Sequence, residues 1–122
     1  MEGKRMLKVV YDSKTGLGKK FAERVSDKAQ PIFDPIDSPC ILITRNVGLG
    51  LVPGSTKKFL KQYGKYVEGV VVNGDRRFGK YFCAAGPKIQ KEFNIPIIRN
   101  IERDGNEEDV LQVKKILSEH GR

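Results

Sequence analysis

Apolar and polar residues along this chain follow two alternating periods. Short runs of mostly β-branched residues, each bounded by Gly, Pro, Asn or Asp, predict five strands. Between most of them lie longer segments with apolar residues at helical spacing, which predict four helices. The predicted strands span residues 6–11, 31–33, 40–44, 69–72 and 95–101, and the predicted helices span residues 19–28, 55–66, 81–93 and 107–119. This order predicts βαβ units and one parallel sheet with helices on both faces.

Local signals refine three of these elements. Residues 33–40 hold two prolines and leave no room for a helix of useful length, so this connection is predicted to be a loop. Pro87 marks either the true first turn of the third helix or a kink in it. The fourth helix has a clear start, because Gly105 suits a turn with positive φ and Asn106 is a good N-cap.

The segment after the first predicted strand carries the strongest sign of chemistry. Residues 7–21 read LKVVYDSKTGLGKKF, which is an apolar strand, a loop of hydroxyl and glycine residues, and the start of a helix. A helix N-terminus presents unpaired N–H groups and the positive end of its dipole, so an anion fits there. Hydroxyls add donors, glycines let the backbone approach a ligand, and lysine adds charge. The predicted anion-binding residues are Ser13, Lys14, Thr15, Gly16, Leu17 and Gly18.

The pattern of this loop narrows the kind of phosphate. The Walker motif GxxxxGK[ST] would need glycine at Ser13 and a hydroxyl at Lys20, and the dinucleotide motif GxGxxG would need glycine at Phe21. Both motifs fail, and the remaining S-x-T-G pattern suits the monophosphate of a mononucleotide better than a triphosphate. The alternative is an ordinary strand-to-helix turn capped by Ser or Thr.

Two later loops are also rich in glycine and follow predicted strands. They read RNVGLGLVPG at residues 45–54 and NGDRRFGK at residues 73–80. Ligands of open α/β sheets bind beyond the carboxyl ends of the strands. The three loops together therefore predict a mononucleotide site, with the phosphate at the first loop and a flat ring between the other two.

Length and composition limit the number of domains and the kinds of site that the chain can form. The 122 residues are expected to form a single domain over residues 1–122, with its core at about residues 6–118. Cys40 and Cys83 form no CxxC pair and are expected to be reduced, mostly buried thiols of a cytoplasmic protein. His120 is the single histidine, so no set of metal ligands is recognisable. We expect neither a signal peptide nor a membrane-spanning segment.

The net charge of +8 is concentrated in one third of the chain. Residues 55–91 hold nine basic and two acidic residues. This distribution predicts an electropositive face that binds an acidic partner, although a solvated basic surface is the alternative. A nucleic-acid-binding module is disfavoured, because Phe59, Phe82 and Phe93 fall at core-facing helical spacing.

Ordered motifs over residues 7–117 resemble one known family. They include YDSKTG at residues 11–16, ILIT at 41–44 and the pattern G-x-R-x-F-G at 74–79. On these motifs the chain resembles flavodoxin-like proteins, and more narrowly the NrdI family, the FMN-containing accessory flavoprotein of class Ib ribonucleotide reductase. The sequence departs from the family pattern at Leu17, Arg45, Asn46, Leu49, Asp75 and Arg77.

The resemblance implies a fold, a cofactor and partners. The fold is a flavodoxin-like three-layer sandwich whose five-stranded parallel sheet has the order 2-1-3-4-5. The cofactor is FMN, and its reduced form reacts with dioxygen to give superoxide or peroxide. This oxidant passes to the dimanganese site of the radical-bearing subunit, while a flavodoxin reductase or similar donor supplies electrons. The resemblance implies these ring-binding residues: Thr44, Arg45, Asn46, Val47, Gly48, Asn73, Gly74, Asp75, Arg76, Arg77, Phe78 and Gly79.

Three points stay open at the level of sequence. A general FMN electron carrier would share the same fold and site. Cys83 is either a packed core thiol or a reactive thiolate favoured by a helix N-terminus. Cations near the ring are expected to favour an anionic reduced flavin, with Asp75 opposing them if it faces the ring. The four expected cations are Arg45, Arg76, Arg77 and Lys80.

Overall fold

The computed structural model describes residues 7–119 and contains one five-stranded parallel sheet with helices on both faces. The strand order is β2-β1-β3-β4-β5, which confirms the predicted topology. The strands are β1 Lys8–Tyr11, β2 Gln30–Pro31, β3 Cys40–Arg45, β4 Val67–Gly74 and β5 Ile97–Glu102, and the helices are α1 Leu17–Val25, α2 Gly54–Tyr63, α3 Ala85–Phe93 and α4 Glu107–Glu119. Met6, the predicted first residue of β1, and His120 lie outside the described residues.

The central strands are apolar on both faces because helices cover both sides of the sheet. Leu42 of β3 lies opposite Val10 of β1 and Val70 of β4 in the parallel register. This row belongs to the core under α2 and α3. The neighbouring row, with Ile43 opposite Val71, belongs to the core under α1 and α4. The alternation along each strand therefore divides the apolar residues between two cores.

Several element boundaries differ from the sequence-based expectation by a few residues. Helix α2 ends at Tyr63, and the last predicted turn is a separate 3-10 turn, Gly64–Tyr66. Helix α3 begins at Ala85 rather than at Tyr81, so Pro87 lies in its first turn and causes no kink. A 3-10 segment, Arg76–Tyr81, occupies the residues before it.

The fourth helix has the predicted bounds because its first turn is capped from both sides. The Asn106 side chain accepts a hydrogen bond from the Asp109 N–H at 2.8 Å, and the Asp109 carboxylate accepts one from the Asn106 N–H at 2.9 Å. This reciprocal pair satisfies two backbone donors at the helix start. Gly105 precedes it with φ +78°, as the sequence predicted.

The connection from β2 to β3 is a loop, as predicted, and it crosses β1 without a helix. It lies on the face that carries α2 and α3, because Ile32 and Ile36 pack into the same core as Phe59 and Leu60. A parallel crossover usually uses a dozen or more residues and a helix. Here residues 32–39 take the place of that helix, and Ile32 and Ile36 cover the sheet beside α2.

Candidate functional site

A cavity of about 340 Å³ opens at the edge of the sheet where β1, β3 and β4 end. Its walls come from all three glycine-bearing loops, which lie far apart in the sequence. The lining residues are Lys14, Thr15, Leu17, Arg45, Asn46, Gly48, Leu49, Asn73, Gly74, Asp75, Phe78 and Arg103. The volume lies at the lower end of the range for small-ligand sites, which is about 300 to 1,000 Å³. The parallel sheet therefore brings together loops that the sequence could only group by pattern.

The first loop has the geometry of an anion-binding turn. Gly16 is the N-cap of α1 and has φ +95°, a left-handed conformation that favours glycine. Its N–H donates to Ser13 Oγ at 3.0 Å, which closes the loop on itself. The first turn of α1 begins at Leu17, so its unpaired N–H groups and positive dipole end lie at the cavity. Lys14 and Thr15 line the same wall.

A network of hydrogen bonds centred on the buried Asp12 carboxylate lies beneath this loop and holds it in place. Asp12, which follows β1 directly, is 5% exposed and accepts hydrogen bonds from the hydroxyls of Ser55 and Thr56, both at 2.6 Å. Thr56 Oγ1 also lies 2.6 Å from Thr44 Oγ1. Because Thr56 gives its one hydroxyl hydrogen to the carboxylate, Thr44 donates to Thr56. Thr44, predicted to bind the ring, is therefore a fully buried support beneath the site and does not line the cavity.

The second loop is held in place by Asn46. Its side chain donates to the Tyr81 carbonyl at 2.7 Å and accepts from the Ala85 N–H at 2.9 Å. These bonds join the loop after β3 to the start of α3. Val47 and Leu51 exchange two backbone hydrogen bonds of 2.9 Å, which closes the turn at Gly48. Asn46 and Gly48 line the cavity, whereas Val47 does not.

The third loop is organised by Asp75. Its carboxylate accepts a hydrogen bond from the Arg77 N–H at 2.9 Å and lies 2.7 Å from an Arg77 guanidinium nitrogen. Arg103 approaches the same carboxylate at 3.8 Å. The hydrogen bonds and positive charge of Arg77 lower the pKa of Asp75 to about 2, so it is a carboxylate at neutral pH.

Of the four cations expected around the ring, only Arg45 lines the cavity. Arg76 lies over the Phe82 ring at 4.5 Å and pairs with Glu102 at 3.4 Å. Arg77 is held by Asp75, and the Lys80 ammonium lies 5.4 Å from the centre of the Tyr81 ring. None of these three lines the cavity. Arg103, which was not among the expected cations, lines the cavity together with Arg45.

Arg45 and Asn73 each present an unpaired polar atom at the site. Asn73 is 8% exposed, and its Nδ2 donates to the Arg103 carbonyl at 3.2 Å, but its Oδ1 has no partner among residues 7–119. The guanidinium of Arg45 lies 3.5 Å from Asp12, while its buried Nε is likewise unpaired within this range. Buried polar atoms without partners are costly. One acceptor and one donor on the cavity wall therefore fit a ligand with complementary polar groups, such as a flavin ring.

Ten of the predicted site residues line this one cavity. The ten are Lys14, Thr15, Leu17, Arg45, Asn46, Gly48, Asn73, Gly74, Asp75 and Phe78. The other eight are placed in the loop backbone, below the cavity or on its outer side: Ser13, Gly16, Gly18, Thr44, Val47, Arg76, Arg77 and Gly79.

Two lining residues were not among the predicted site residues. Leu49 is 60% exposed, and its glycine-rich loop was the signal that could have included it. Arg103 follows β5, a strand whose end was not considered as part of the site. Its positive φ of +57° and its contact with Asp75 become visible only in the folded chain. Leu49 and Phe78, the latter 52% exposed, give the cavity an apolar rim.

Both cysteines are packed core thiols. Cys83 is 1% exposed, and its thiol donates to the Val72 carbonyl at 3.2 Å. Burial raises the pKa of Cys83 to about 11 and that of Cys40 to about 12. Cys83 also precedes the first residue of α3, Ala85, by two positions, so it is not placed in the first helical turn. The structure therefore favours the core-thiol interpretation over the reactive thiolate.

Comparison with known proteins decides the family. The model of the family described as NrdI Flavodoxin like matches residues 9–115. The chain belongs to the NrdI flavodoxin-like family. Members of the NrdI and flavodoxin families bind FMN, so the cofactor expected from the sequence is confirmed at the level of the family.

A solved structure supports the fold independently. It is described as a short-chain flavodoxin associated with a non-canonical PDU bacterial microcompartment, and it is 19% identical to this NrdI-family chain. The match has a TM-score of 0.70 and covers 94% of this chain and 95% of that one. The flavodoxin-like fold is therefore shown by sequence family and by shape.

No helix within residues 7–119 is long and apolar enough to cross a membrane. The same part of the chain contains no cluster of three or more His, Cys, Asp or Glu side chains arranged to hold a metal.

Proposed function

We propose that this chain is the FMN-dependent activator of a class Ib ribonucleotide reductase and works in the cytoplasm. The NrdI family is known to associate with ribonucleotide reductase. The observation that carries the proposal is the combination of this family match with a cavity built from the three loops expected to hold FMN. Reduced FMN held by these loops would supply electrons to dioxygen, and the superoxide so formed would be the oxidant for the dimanganese site of the radical-bearing subunit.

The first loop is proposed to bind the FMN phosphate. Its Ser13 hydroxyl already accepts from Gly16, so the hydroxyl hydrogen stays available to an anion. The N–H groups at the start of α1 and the charge of Lys14 act in the same direction. Leu17 lines the cavity at this point, where the family commonly has asparagine, and it adds apolar contact instead of a hydrogen bond.

The second and third loops are proposed to hold the ring. Asn73 Oδ1 and Arg45 Nε supply an acceptor and a donor, respectively, and Phe78 and Leu49 supply apolar walls. Asn46 fixes the distance between the two loops through its bonds to Tyr81 and Ala85. A rigid slot with polar groups at fixed positions suits a flat heteroaromatic ring.

The partner is proposed to dock over the apolar rim of the cavity. Leu49, Leu51 and Phe78 are each more than half exposed. An apolar patch around a functional cavity is typical of a surface that is covered during a transient complex. Docking there would bring the oxidant directly from the cavity to the radical-bearing subunit. It would also exclude water from the transfer path.

The decisive experiment is radical assembly. The chain is loaded with FMN, reduced without oxygen, and mixed with a manganese-loaded radical-bearing subunit and dioxygen. The expected result is a tyrosyl radical signal in electron paramagnetic resonance and gain of reductase activity. The oxidised protein and the subunit alone serve as controls and are expected to give no radical. Electron transfer to ferric cytochrome c without radical formation would instead identify a general electron carrier.

A further inference from the structure

Beside α2 the sheet is covered by a loop and not by a helix, because the connection from β2 to β3 spans only residues 32–39. A groove of about 340 Å³ lies between the loop and α2. Its lining residues are Ile32, Phe33, Ser55, Lys58, Phe59, Gln62 and Tyr63. This groove shares no lining residue with the proposed FMN cavity.

One wall of the groove is an exposed aromatic residue on a fixed turn. Phe33 is 84% exposed and lies next to the buried Ile32 inside a tight turn. The Asp34 N–H donates to the Pro31 carbonyl at 3.1 Å, and the Gln30 side chain donates to the carbonyls of Asp34 and Pro35 at 3.3 and 3.1 Å. These hydrogen bonds fix the backbone of the turn, so the exposed Phe33 ring has a defined position beside the groove.

The opposite wall, on α2, carries Lys58 and continues onto a basic helix surface. Lys57, Lys58 and Lys61 lie on the exposed side of α2, a helix without any acidic residue. Within residues 7–119, no carboxylate lies in salt-bridge range of these three lysines. A second recess is lined by the same three lysines and shares Lys58 and Gln62 with the groove. The positive charge therefore extends along the helix from the apolar groove.

We propose that this groove binds an acidic segment of a partner protein, with one apolar side chain packed against Phe33 and carboxylates paired with the lysines of α2. Charge complementarity selects this occupant, because Lys58 on the groove and Lys57 and Lys61 beside it attract carboxylates. Two exposed aspartates, Asp34 and Asp37, lie on the loop side. They direct the acidic part of the segment toward α2, away from the loop.

The location of the groove allows a second partner. Because groove and FMN cavity share no residue, a protein can occupy the groove while the apolar rim of the cavity remains free. Ser55 connects the two sites structurally, since it lines the groove and its hydroxyl donates to Asp12 beneath the phosphate loop. A docked segment therefore lies beside the phosphate end of the proposed site and leaves the ring edge open.

The test selects ligands from a random library of displayed 12-residue peptides on the purified full chain. Enriched peptides are expected to combine several Asp or Glu residues with one aromatic or aliphatic residue. The affinity of the best peptide is then measured by fluorescence anisotropy at low and moderate salt. Phe33→Ala and Lys58→Glu should each weaken binding at least tenfold, and added salt should weaken it further.

Matched control variants lie on α4, which packs on the other face of the sheet. Leu111→Ala removes another exposed apolar side chain, and Lys114→Glu reverses an exposed charge. Both should leave peptide affinity unchanged. The proposal is overturned if the enriched peptides lack carboxylates, if no peptide is enriched, or if the groove variants bind as well as the controls. It is also overturned if a 12-nucleotide single strand competes at the groove more strongly than the peptide.

Discussion

Thr56 Oγ1 donates a 2.6 Å hydrogen bond to the buried carboxylate of Asp12, and this contact joins α2 to the end of β1. The two residues lie 44 positions apart in the chain. Ser55 donates to the same oxygen, and Thr44 donates to Thr56, so a chain of hydroxyls ends on one carboxylate. The arrangement holds the phosphate loop against the helix that borders the groove.

Removing this carboxylate is expected to destabilise the protein. Asp12→Ala leaves the buried Thr56 hydroxyl, the half-buried Ser55 hydroxyl and the Arg45 guanidinium without their acceptor, and should lower the free energy of unfolding by about 3 kcal/mol. Urea unfolding monitored by circular dichroism measures the change. The control is Asp27→Ala at an exposed position, which should stay within about 0.5 kcal/mol of the parent. A similar small effect for Asp12→Ala would show that the network is not stabilising.

The unpaired acceptor on the cavity wall is expected to contribute to FMN binding. Asn73→Ala should weaken FMN binding about tenfold, or ~1.4 kcal/mol, because Oδ1 can no longer accept a hydrogen bond from the ligand. Quenching of flavin fluorescence on titration gives the dissociation constant. Asn100→Ala, at an exposed position on β5, is the matched control. Equal affinity of the two variants would place the ring elsewhere.

Arg45 is expected to tune the reduction potential of bound FMN. A cation beside the ring favours the reduced, more negative flavin, so Arg45→Gln should lower the two-electron potential by about 20 to 60 mV. The nearby Asp12 carboxylate partly neutralises Arg45, which favours the lower end of this range. Arg76→Gln removes a charge that lies over Phe82 and outside the cavity, and should change the potential little. Equal shifts in both variants would contradict the assignment of Arg45 to the ring.

Gly105 is expected to be irreplaceable for steric reasons. Its φ is +78°, and a Cβ there would lie 2.7 Å from a ring carbon of the buried Phe21. Gly105→Ala should therefore cost about 2 to 4 kcal/mol of unfolding free energy. Gly64→Ala is the control, because Gly64 has helical φ of −54° and open space around it. It should be neutral or up to about 1 kcal/mol stabilising. Thermal and urea unfolding of both variants give the comparison.

The two buried thiols predict a loss of stability at alkaline pH. Burial raises the pKa of Cys83 to about 11 and of Cys40 to about 12, from an ordinary value of 9.0. Between these values the unfolded chain releases thiol protons and the folded chain does not, so the free energy of unfolding falls as pH rises above about 9. The decline should be shallower in a Cys40→Ala/Cys83→Ala variant, measured by urea unfolding from pH 7 to 10.

The same burial predicts low thiol reactivity. In the native protein at pH 8, Ellman's reagent should react with neither cysteine, and in denaturant it should react with both. Rapid reaction of Cys83 in the native protein would instead support the redox-active thiol that its sequence position left open.

The sequence was sufficient to predict the strand and helix pattern, the parallel sheet and the three glycine-bearing loops of the candidate site. These features follow from local rules: periodicity, glycine and proline positions, and the capping signal at Asn106 that sets the start of α4. The motifs of the first and third loops also pointed to the family that the comparison showed. Local rules act over a few residues, so they can be read from the order of residues alone.

The positions of the charged side chains at the site, and of the residues that hold its loops, depend on the folded structure and could not be predicted from the sequence. Arg77 pairs with Asp75, and Arg76 contacts Phe82 and Glu102. Among the four expected cations, Arg45 therefore remains as the one that lines the cavity. Other examples are the support of the phosphate loop by α2, the position of Arg103 and the exposure of Phe33 on the loop beside α2. A charged side chain takes the partner nearest in space, and folding, not sequence separation, sets that distance.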